Sequence, residues 1–170
     1  MRKIIFETKR LIATTLQESD IEPLWRDCFA DAEVMKLLLG RTFTFEEAKS
    51  YIERTFSKGQ LMDFTVVFEK ESRELIGYAG MFPYLYDHRE NEYEFGYILK
   101  QKVWGKGYAT ELSFRQIKKL QENFDDVSIV ATAHPKNIAS KRVLEKVNMA
   151  LVDVSVELKN RGLRDVYRLL

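Results

Sequence analysis

The chain has 170 residues, 45% of them hydrophobic and 31% charged. That is the length of one domain and the composition of a folded one, which excludes a disordered or low-complexity protein. Its 27 basic and 26 acidic residues nearly cancel, so no overall field recruits nucleic acid or an acidic membrane surface. One cysteine, Cys28, excludes an internal disulfide framework and suits a reducing compartment. The two histidines, His88 and His134, are widely separated from it, so no metal site is expected. The opening MRKIIFETKR is too short in apolar residues for a signal-peptide core, and no later run spans a bilayer. The expectation is a cytoplasmic protein with no membrane partner.

In chain order, Lys9 to Leu16 predicts a first strand. Ser19 or Asp20 then caps a helix whose apolar residues Ile21, Leu24, Trp25, Cys28 and Phe29 follow helical spacing. A second helix opens at Thr44, with Glu47 completing a capping box, and buries Ala48, Tyr51, Ile52 and Phe56. Met62, Phe64, Val66 and Phe68 alternate with Asp63, Thr65, Val67 and Glu69, the period of a strand. Leu75–Met81 and Glu92–Leu99 predict two more strands. In the latter, Tyr93, Phe95, Tyr97 and Leu99 share one face, and Glu92, Glu94, Gly96 and Ile98 the other.

Tyr108 to Leu120 is helical, with Glu111, Arg115, Lys118 and Lys119 opposite Leu112, Ile117 and Leu120. Val127–Ala133 predicts a strand and Asn137–Val147 a helix with an apolar stripe of Ala139, Val143 and Val147. Two final strands join near Asn160–Gly162. No linker or repeat interrupts the chain, so residues 1–170 form a single mixed α/β (α+β) domain with helices on a central sheet.

The segment Lys102-Val103-Trp104-Gly105-Lys106-Gly107-Tyr108-Ala109 lies between a strand and a helix. The first amides of a helix lack intrahelical partners and its dipole favours anions. Gly105 and Gly107 can take positive φ, and Lys106 adds a cation at the rim. The segment is neither a Walker A loop nor a dinucleotide fingerprint, which would need glycine at Thr110. On its own, a Gly-x-Gly pair describes a tight turn as readily as a phosphate site. Further on, Asn137, Ser140 and Leu144 share one edge of their helix, where an amide and a hydroxyl can reach a ligand alongside.

Taken together, these segments resemble the GNAT superfamily of acyl-CoA-dependent N-acetyltransferases. Lys102–Gly107 is similar to that family's Gln/Arg-x-x-Gly-x-Gly/Ala loop, with Lys102 replacing the first residue. Glu94-Phe95-Gly96-Tyr97 looks like its fourth strand, and Asn137–Met149 resembles its Asn-x-x-Ser…Lys-x-Gly-Phe segment. Glu7-Thr8-Lys9-Arg10-Leu11 is similar to the opening of the branch containing the ribosomal-protein serine and alanine N-terminal acetyltransferases. The resemblance implies a mixed sheet of about seven strands, splayed between the fourth and fifth, with helices on both faces.

It implies further that amides from Val103 to Ala109 hold the pyrophosphate of acetyl-CoA, the co-substrate. The pantetheine would pair with the main chain of Tyr97, Ile98 and Leu99, Asn137 would hold its arm, and Ser140 would lie near the thioester sulfur. The Ile98 amide is the expected oxyanion donor and Glu94 the expected base. Leu144 replaces a tyrosine that protonates the leaving thiolate in many members, so that step needs another donor here. Asn148 replaces a glycine at a left-handed helix end, and asparagine tolerates that conformation. The partner is an amine acceptor, either a protein α-amine or a small amine such as an antibiotic, polyamine or amino acid, bound by a monomer or homodimer. A non-catalytic acyl-CoA-binding domain is the alternative. Cys28, on an apolar helix face, reads as core, and both histidines adjoin turn residues.

Overall fold

The computed structural model describes residues 2–56, 63–86 and 91–170. The strands are β1 (Ile4–Glu7), β2 (Leu11–Thr14), β3 (Phe64–Glu69), β4 (Leu75–Pro83), β5 (Glu92–Leu99), β6 (Ser128–Ala133), β7 (Met149–Leu158) and β8 (Gly162–Leu169). They form one sheet of eight strands in the order β1-β2-β3-β4-β5-β6-β8-β7. β5 and β6 are parallel neighbours, joined across helix α4 (Tyr108–Asn123) as a parallel pair requires. The pairs on either side of them are antiparallel.

The strand beyond the expected seven is β1. Ile4 and Phe6 pair with Thr14 and Ala13, and the chain turns at Thr8, whose N–H donates to the Leu11 carbonyl at 2.9 Å. Strand β2 therefore starts at Leu11 rather than Lys9. Asp20 also differs from expectation. Its carboxylate accepts the Gln17 N–H at 2.8 Å and both arms of the Arg2 guanidinium at 2.8 and 2.9 Å, so the turn begins three residues earlier. A short tight turn leads into α1 (Ile21–Leu24), which widens over Trp25–Phe29 as the Ala30 N–H reaches back to the Trp25 carbonyl. A further short helix, α2 (Ala32–Met35), is capped by Asp31. In α3 (Phe45–Thr55) the expected capping box is present: Glu47 N–H donates to Thr44 Oγ1 at 3.3 Å and Thr44 N–H to the Glu47 carboxylate at 2.8 Å.

Helices cover both sheet faces, so strand polarity does not report which side is wet. Val66 and Val67 are adjacent in β3, and both are fully buried, in opposite cores. One core holds Phe95, Leu99, Leu112, Leu120 and Leu144 beneath α4 and α5 (Ile138–Lys146). The other holds Leu24, Phe29, Met35, Ile52 and Tyr78 beneath α1 to α3. In α5 the buried residue is Leu144, followed by Val147 in the helix cap, whereas Ala139 is exposed. Asn148 takes φ 62°, the left-handed conformation expected after α5, and Gly162, at the start of β8, takes φ 68°. Met62 and His88 lie outside the described residues.

Candidate active site

The parallel pairing of β5 with β6 stops at Glu94 opposite Val130, although β5 continues to Leu99 and β6 to Ala133. The sheet opens there. Which groups face the opening follows from the ladder on the other side of β5. Lys100 N–H donates to the Ile76 carbonyl and Tyr84 N–H to the Glu92 carbonyl, so the even-numbered residues of β5 aim their backbone groups at β4. By alternation, Tyr97 and Leu99 turn theirs toward the gap. This corrects the reading of Ile98: its amide belongs to the β4 ladder and is not an oxyanion donor across the opening. The Leu99 carbonyl already accepts the Trp104 indole N–H at 2.7 Å, which leaves the Tyr97 backbone as the exposed rung.

Beyond the end of β5 the chain makes a short turn over Gln101–Val103 and enters α4. Gly105 and Gly107 both take left-handed φ, 77° and 80°. A side chain at Gly105 would meet open space, while one at Gly107 would touch the Arg10 guanidinium at 3.4 Å. The first helical hydrogen bond runs from Glu111 N–H to the Gly107 carbonyl, and the amides of Gly105 to Thr110 donate to no described residue. Val103 and Tyr108 anchor the turn in the core, whereas Lys102, Trp104 and Lys106 are exposed and Ala109 half-buried. The result is a cradle of unused N–H groups flanked by two lysines, which fits a pyrophosphate.

This cradle is braced from the amino terminus. Glu111 accepts Thr8 Oγ1–H at 2.6 Å, Arg10 N–H at 2.8 Å and Arg10 Nε at 2.7 Å. Arg10 also donates to the Lys106 carbonyl at 2.9 Å and lies over the Tyr108 ring. Burial opposes the charge of Glu111, but the bonds from Thr8 and Arg10 outweigh it and hold its carboxyl below the usual range. Thr8 and Arg10 thus brace the loop that would hold the coenzyme.

On the same side of the sheet, Asn137 caps α5 by accepting Ser140 N–H at 3.0 Å, which leaves its amide NH2 unused by that contact. Ser140 and Leu144 line the opening, together with Tyr97 from β5. Burial is the larger cause acting on the Tyr97 phenol and pushes it up to about 12, although Ser140 beside it draws it down. That phenol keeps its proton at any working pH and faces the site where Leu144 offers none.

The other side of the opening is a cavity of about 520 Å³, walled by rings that include Phe29, Tyr51, Phe64, Tyr78 and Tyr86. Glu94 points into it from β5 and is 2% exposed. Both of its oxygens are engaged by the Arg161 guanidinium at 2.7 Å, and Thr132 Oγ1–H donates to Oε1 at 2.8 Å. Arg161 comes from the β7–β8 turn and also donates to Thr132 Oγ1 at 2.9 Å. Burial opposes its charge, yet Glu94 holds its pKa above the ordinary value. Three residues later, Arg164 is buried and donates to the Leu38 carbonyl, fastening the segment after α2 beside the cavity. Nothing in the sequence pointed to Arg161, because an arginine in a hairpin turn reads as solvated, or to Arg164, which lies in β8. Cys28 is fully buried, and burial pushes its thiol up to about 12. His134 accepts the Lys136 N–H at 3.1 Å and serves its own turn.

The cavity touches residues of both cores: Phe95, Ala131 and Leu144 from one side of the sheet, Phe29 and Tyr78 from the other. It draws its lining from both faces of the sheet, with the unused N–H groups at the start of α4 on one side and the aromatic rings on the other. Residues 10–150 match the family described as acetyltransferase (GNAT) domain, and the chain belongs to that family. An uncharacterised N-acetyltransferase, YnaD of Bacillus subtilis, is 29% identical over 142 residues, 84% of this chain and 80% of that protein. An acetyltransferase of the GNAT family from Bacillus anthracis superposes with a TM-score of 0.82 at 25% identity, covering 100% of this chain and 98% of that one. The spermidine N-acetyltransferase of Vibrio cholerae, in complex with CoA and spermine, gives a TM-score of 0.72 at 19% identity, covering 94% and 93%. The chain is accordingly an acetyl-CoA-dependent N-acetyltransferase.

Proposed function

We propose that acetyl-CoA enters from the α4–α5 face, that the acceptor amine enters from the aromatic face, and that the two meet where β5 and β6 part. The observation that carries this reading is a cavity lined by residues of both cores. The Gly105–Thr110 amides take the pyrophosphate, with Lys102 and Lys106 beside them. Asn137 and the Tyr97 backbone hold the pantetheine, and Ser140 lies by the thioester sulfur.

The amine nitrogen attacks the acetyl carbon, a C–N bond forms, the C–S bond breaks, and coenzyme A leaves as its thiolate. The substrate ammonium loses two protons overall: one protonates the thiolate and one goes to solvent. With Leu144 unable to donate, the Ser140 hydroxyl, backed by the Tyr97 phenol, solvates the departing sulfur.

Glu94 was expected to act as the base. Its oxygens already accept three hydrogen bonds from Arg161 and Thr132, so a proton arriving there would displace the guanidinium. We assign it instead to aiming the amine, with proton loss to water. The resemblance of Glu7–Leu11 to the ribosomal-protein branch loses its bearing on the acceptor, because Thr8 and Arg10 brace the coenzyme loop. A protein α-amine and a small amine therefore stand level on that motif.

The test has two parts. Acetyl-CoA at 100 times its dissociation constant should stabilise the fold by about 2.7 kcal/mol. A single-turnover assay against a panel of amines should release free coenzyme A and an N-acetyl product. Binding without transfer to any amine identifies an acyl-CoA-binding domain instead.

A further inference from the structure

Resting on the acceptor-side reading above, we infer that the acceptor is a primary amine whose remaining body is uncharged and ring-bearing, such as an arylalkylamine, and that polyamines and zwitterionic amino acids are poor acceptors. Three observations converge on this class.

The first is charge. Among the described residues lining the cavity, Glu94 and Arg161 are the only ionised side chains, and they neutralise each other through two bonds of 2.7 Å. A polyamine placing its terminal nitrogen at the opening would carry further ammonium groups past walls whose described residues offer no counter-ion. Each would lose hydration without compensation, and the guanidinium would repel them. An amino acid fares no better: its carboxylate would need Arg161, whose fork already holds Glu94. An acceptor with one amine and no other charge meets neither obstacle.

The second is shape. The wall rings hold one another in place. Phe29 stacks on Tyr78 at 5.3 Å and 10°, and Phe64 meets Tyr78 edge-on at 5.4 Å and 88°. Tyr51 meets Phe29 at 5.6 Å, and Tyr86 meets Tyr84 at 5.5 Å. Phe64 itself lies so close over Gly80 that a Cβ there would sit 2.4 Å from the ring. A ring entering this set finds offset and edge-on partners already positioned, and its ammonium arm can lie over a ring face on the way to the opening.

The third is a fixed apolar border. Arg164 ties the Leu38 carbonyl to the β8 hairpin, so Leu38 and Leu39 stay beside the rings. This border offers apolar contact to the body of the amine, and the chemistry is the acetyl transfer already described, with the same balance of bonds and protons. That amine can be a free small molecule or the α-amine of a peptide beginning with an aromatic residue. The measurement distinguishes the two.

The experiment compares kcat/KM of the full chain for 2-phenylethylamine, tryptamine, the amide of Phe-Ala-Ala, the amide of Ser-Ala-Ala, spermidine and free lysine at saturating acetyl-CoA. The ring-bearing amines should exceed spermidine, lysine and the Ser peptide by at least about tenfold, or about 1.4 kcal/mol. The ratio of phenylethylamine to the Phe peptide then identifies the source. Leu39→Glu places a carboxylate at a lining residue that is already 42% exposed. It should lower the phenylethylamine value and raise that of spermidine, and Leu85→Glu, at a lining residue 75% exposed, should act in the same sense. If spermidine, lysine or the Ser peptide outruns all three ring-bearing acceptors in the parent, the acceptor class is overturned while the transferase stands. If no amine is acetylated although acetyl-CoA binds, the transferase reading fails and the acceptor class falls with it.

Discussion

The two faces of the site are built on opposite principles. The proposed coenzyme face is made from backbone: the turn from Gly105 into α4 presents amides that helix geometry leaves unused. Those of Val103 and Trp104, expected to share the task, donate instead to the Lys100 and Gln101 carbonyls. The proposed acceptor face is made from side chains drawn from distant parts of the chain, Phe29, Tyr51, Phe64, Tyr78 and the Glu94–Arg161 pair among them. A backbone site binds what every member of a family binds, because it tolerates any side chain that preserves the turn. A side-chain site can be rewritten one residue at a time without disturbing the fold. The contrast predicts that damage on the acceptor face falls on stability and acceptor choice, and damage on the coenzyme face on cofactor affinity.

The largest effect is expected at Arg161. Glu94 keeps 3% of its side chain exposed and Arg161 26%, so the partners are not equivalent. Arg161→Ala strands a buried carboxylate and should cost about 3–5 kcal/mol, read as a lower melting temperature. Glu94→Gln leaves a guanidinium that still reaches water and should cost less. The double variant Glu94→Gln with Arg161→Gln should recover part of the loss. Glu94→Gln also decides the role of the carboxylate in turnover. A base would give a deficit that shrinks as pH rises, whereas an aiming group gives one that is flat with pH. A recovery at high pH would return Glu94 to the role of base.

Next comes the brace behind the cradle. Glu111→Gln keeps the shape but weakens three hydrogen bonds, and should cost about 1.5–3 kcal/mol at neutral pH. The sign with pH follows from the depressed carboxyl of the folded state. Its contribution is present above the ordinary glutamate value of about 4.3 and is lost as pH falls through the lower folded value. The gap in melting temperature between parent and variant should therefore be constant from about pH 7 to 5 and close in more acid solution. A gap that widens on acidification would mean that Thr8 and Arg10 do not hold Glu111 ionised.

What was legible in the sequence divides along the same line. The cradle is a local pattern, Gly-x-Gly before a helix, and a single residue type at each position reports the backbone it needs. The strand Glu92–Leu99 and the capping box at Thr44 are local in the same way. The Glu94–Arg161 pair joins residues 67 apart, and only the fold decides that a turn arginine folds inward. Strand β1 was missed because three apolar residues satisfy no periodicity until β2 lies beside them. The misassigned Ile98 amide has a simpler cause: side chains alternate visibly in a sequence, but the parity of backbone groups depends on which neighbour pairs with which residue.

A smaller effect is expected within the cradle itself. Gly107→Val forces a β-branched residue into φ 80° and crowds Arg10. Left-handed geometry costs a non-glycine residue about 1–2 kcal/mol, and relaxing it would misalign the amides, so coenzyme A affinity should fall by about tenfold or more. Lys106→Ala removes an exposed, screened charge and should cost less. Isothermal titration with coenzyme A ranks the two. A greater loss in Lys106→Ala, with the fold intact, would make the site one of side-chain charge and erase the contrast between the faces.

The smallest effect should come from Cys28, and its near absence is informative. Cys28 is fully buried and belongs to the core that backs the aromatic wall, so it faces neither ligand directly. Burial, assisted by the charge of Asp27, pushes its thiol up to about 12. At pH 8 only about one molecule in 10⁴ would carry the thiolate, the form that attacks a thioester. Transfer through an acetylated cysteine would thus begin from a rare and inaccessible species, whereas direct attack by the amine needs no protein nucleophile. Three results should agree. The native protein should not react with a water-soluble disulfide reagent until unfolded, Cys28→Ala should retain the parent's turnover, and acetyl-CoA mixed with enzyme alone should release no burst of free coenzyme A. A stoichiometric burst in the parent that disappears in Cys28→Ala would place a nucleophile inside the wall, and the two faces would then no longer meet by direct transfer across the opening in the sheet.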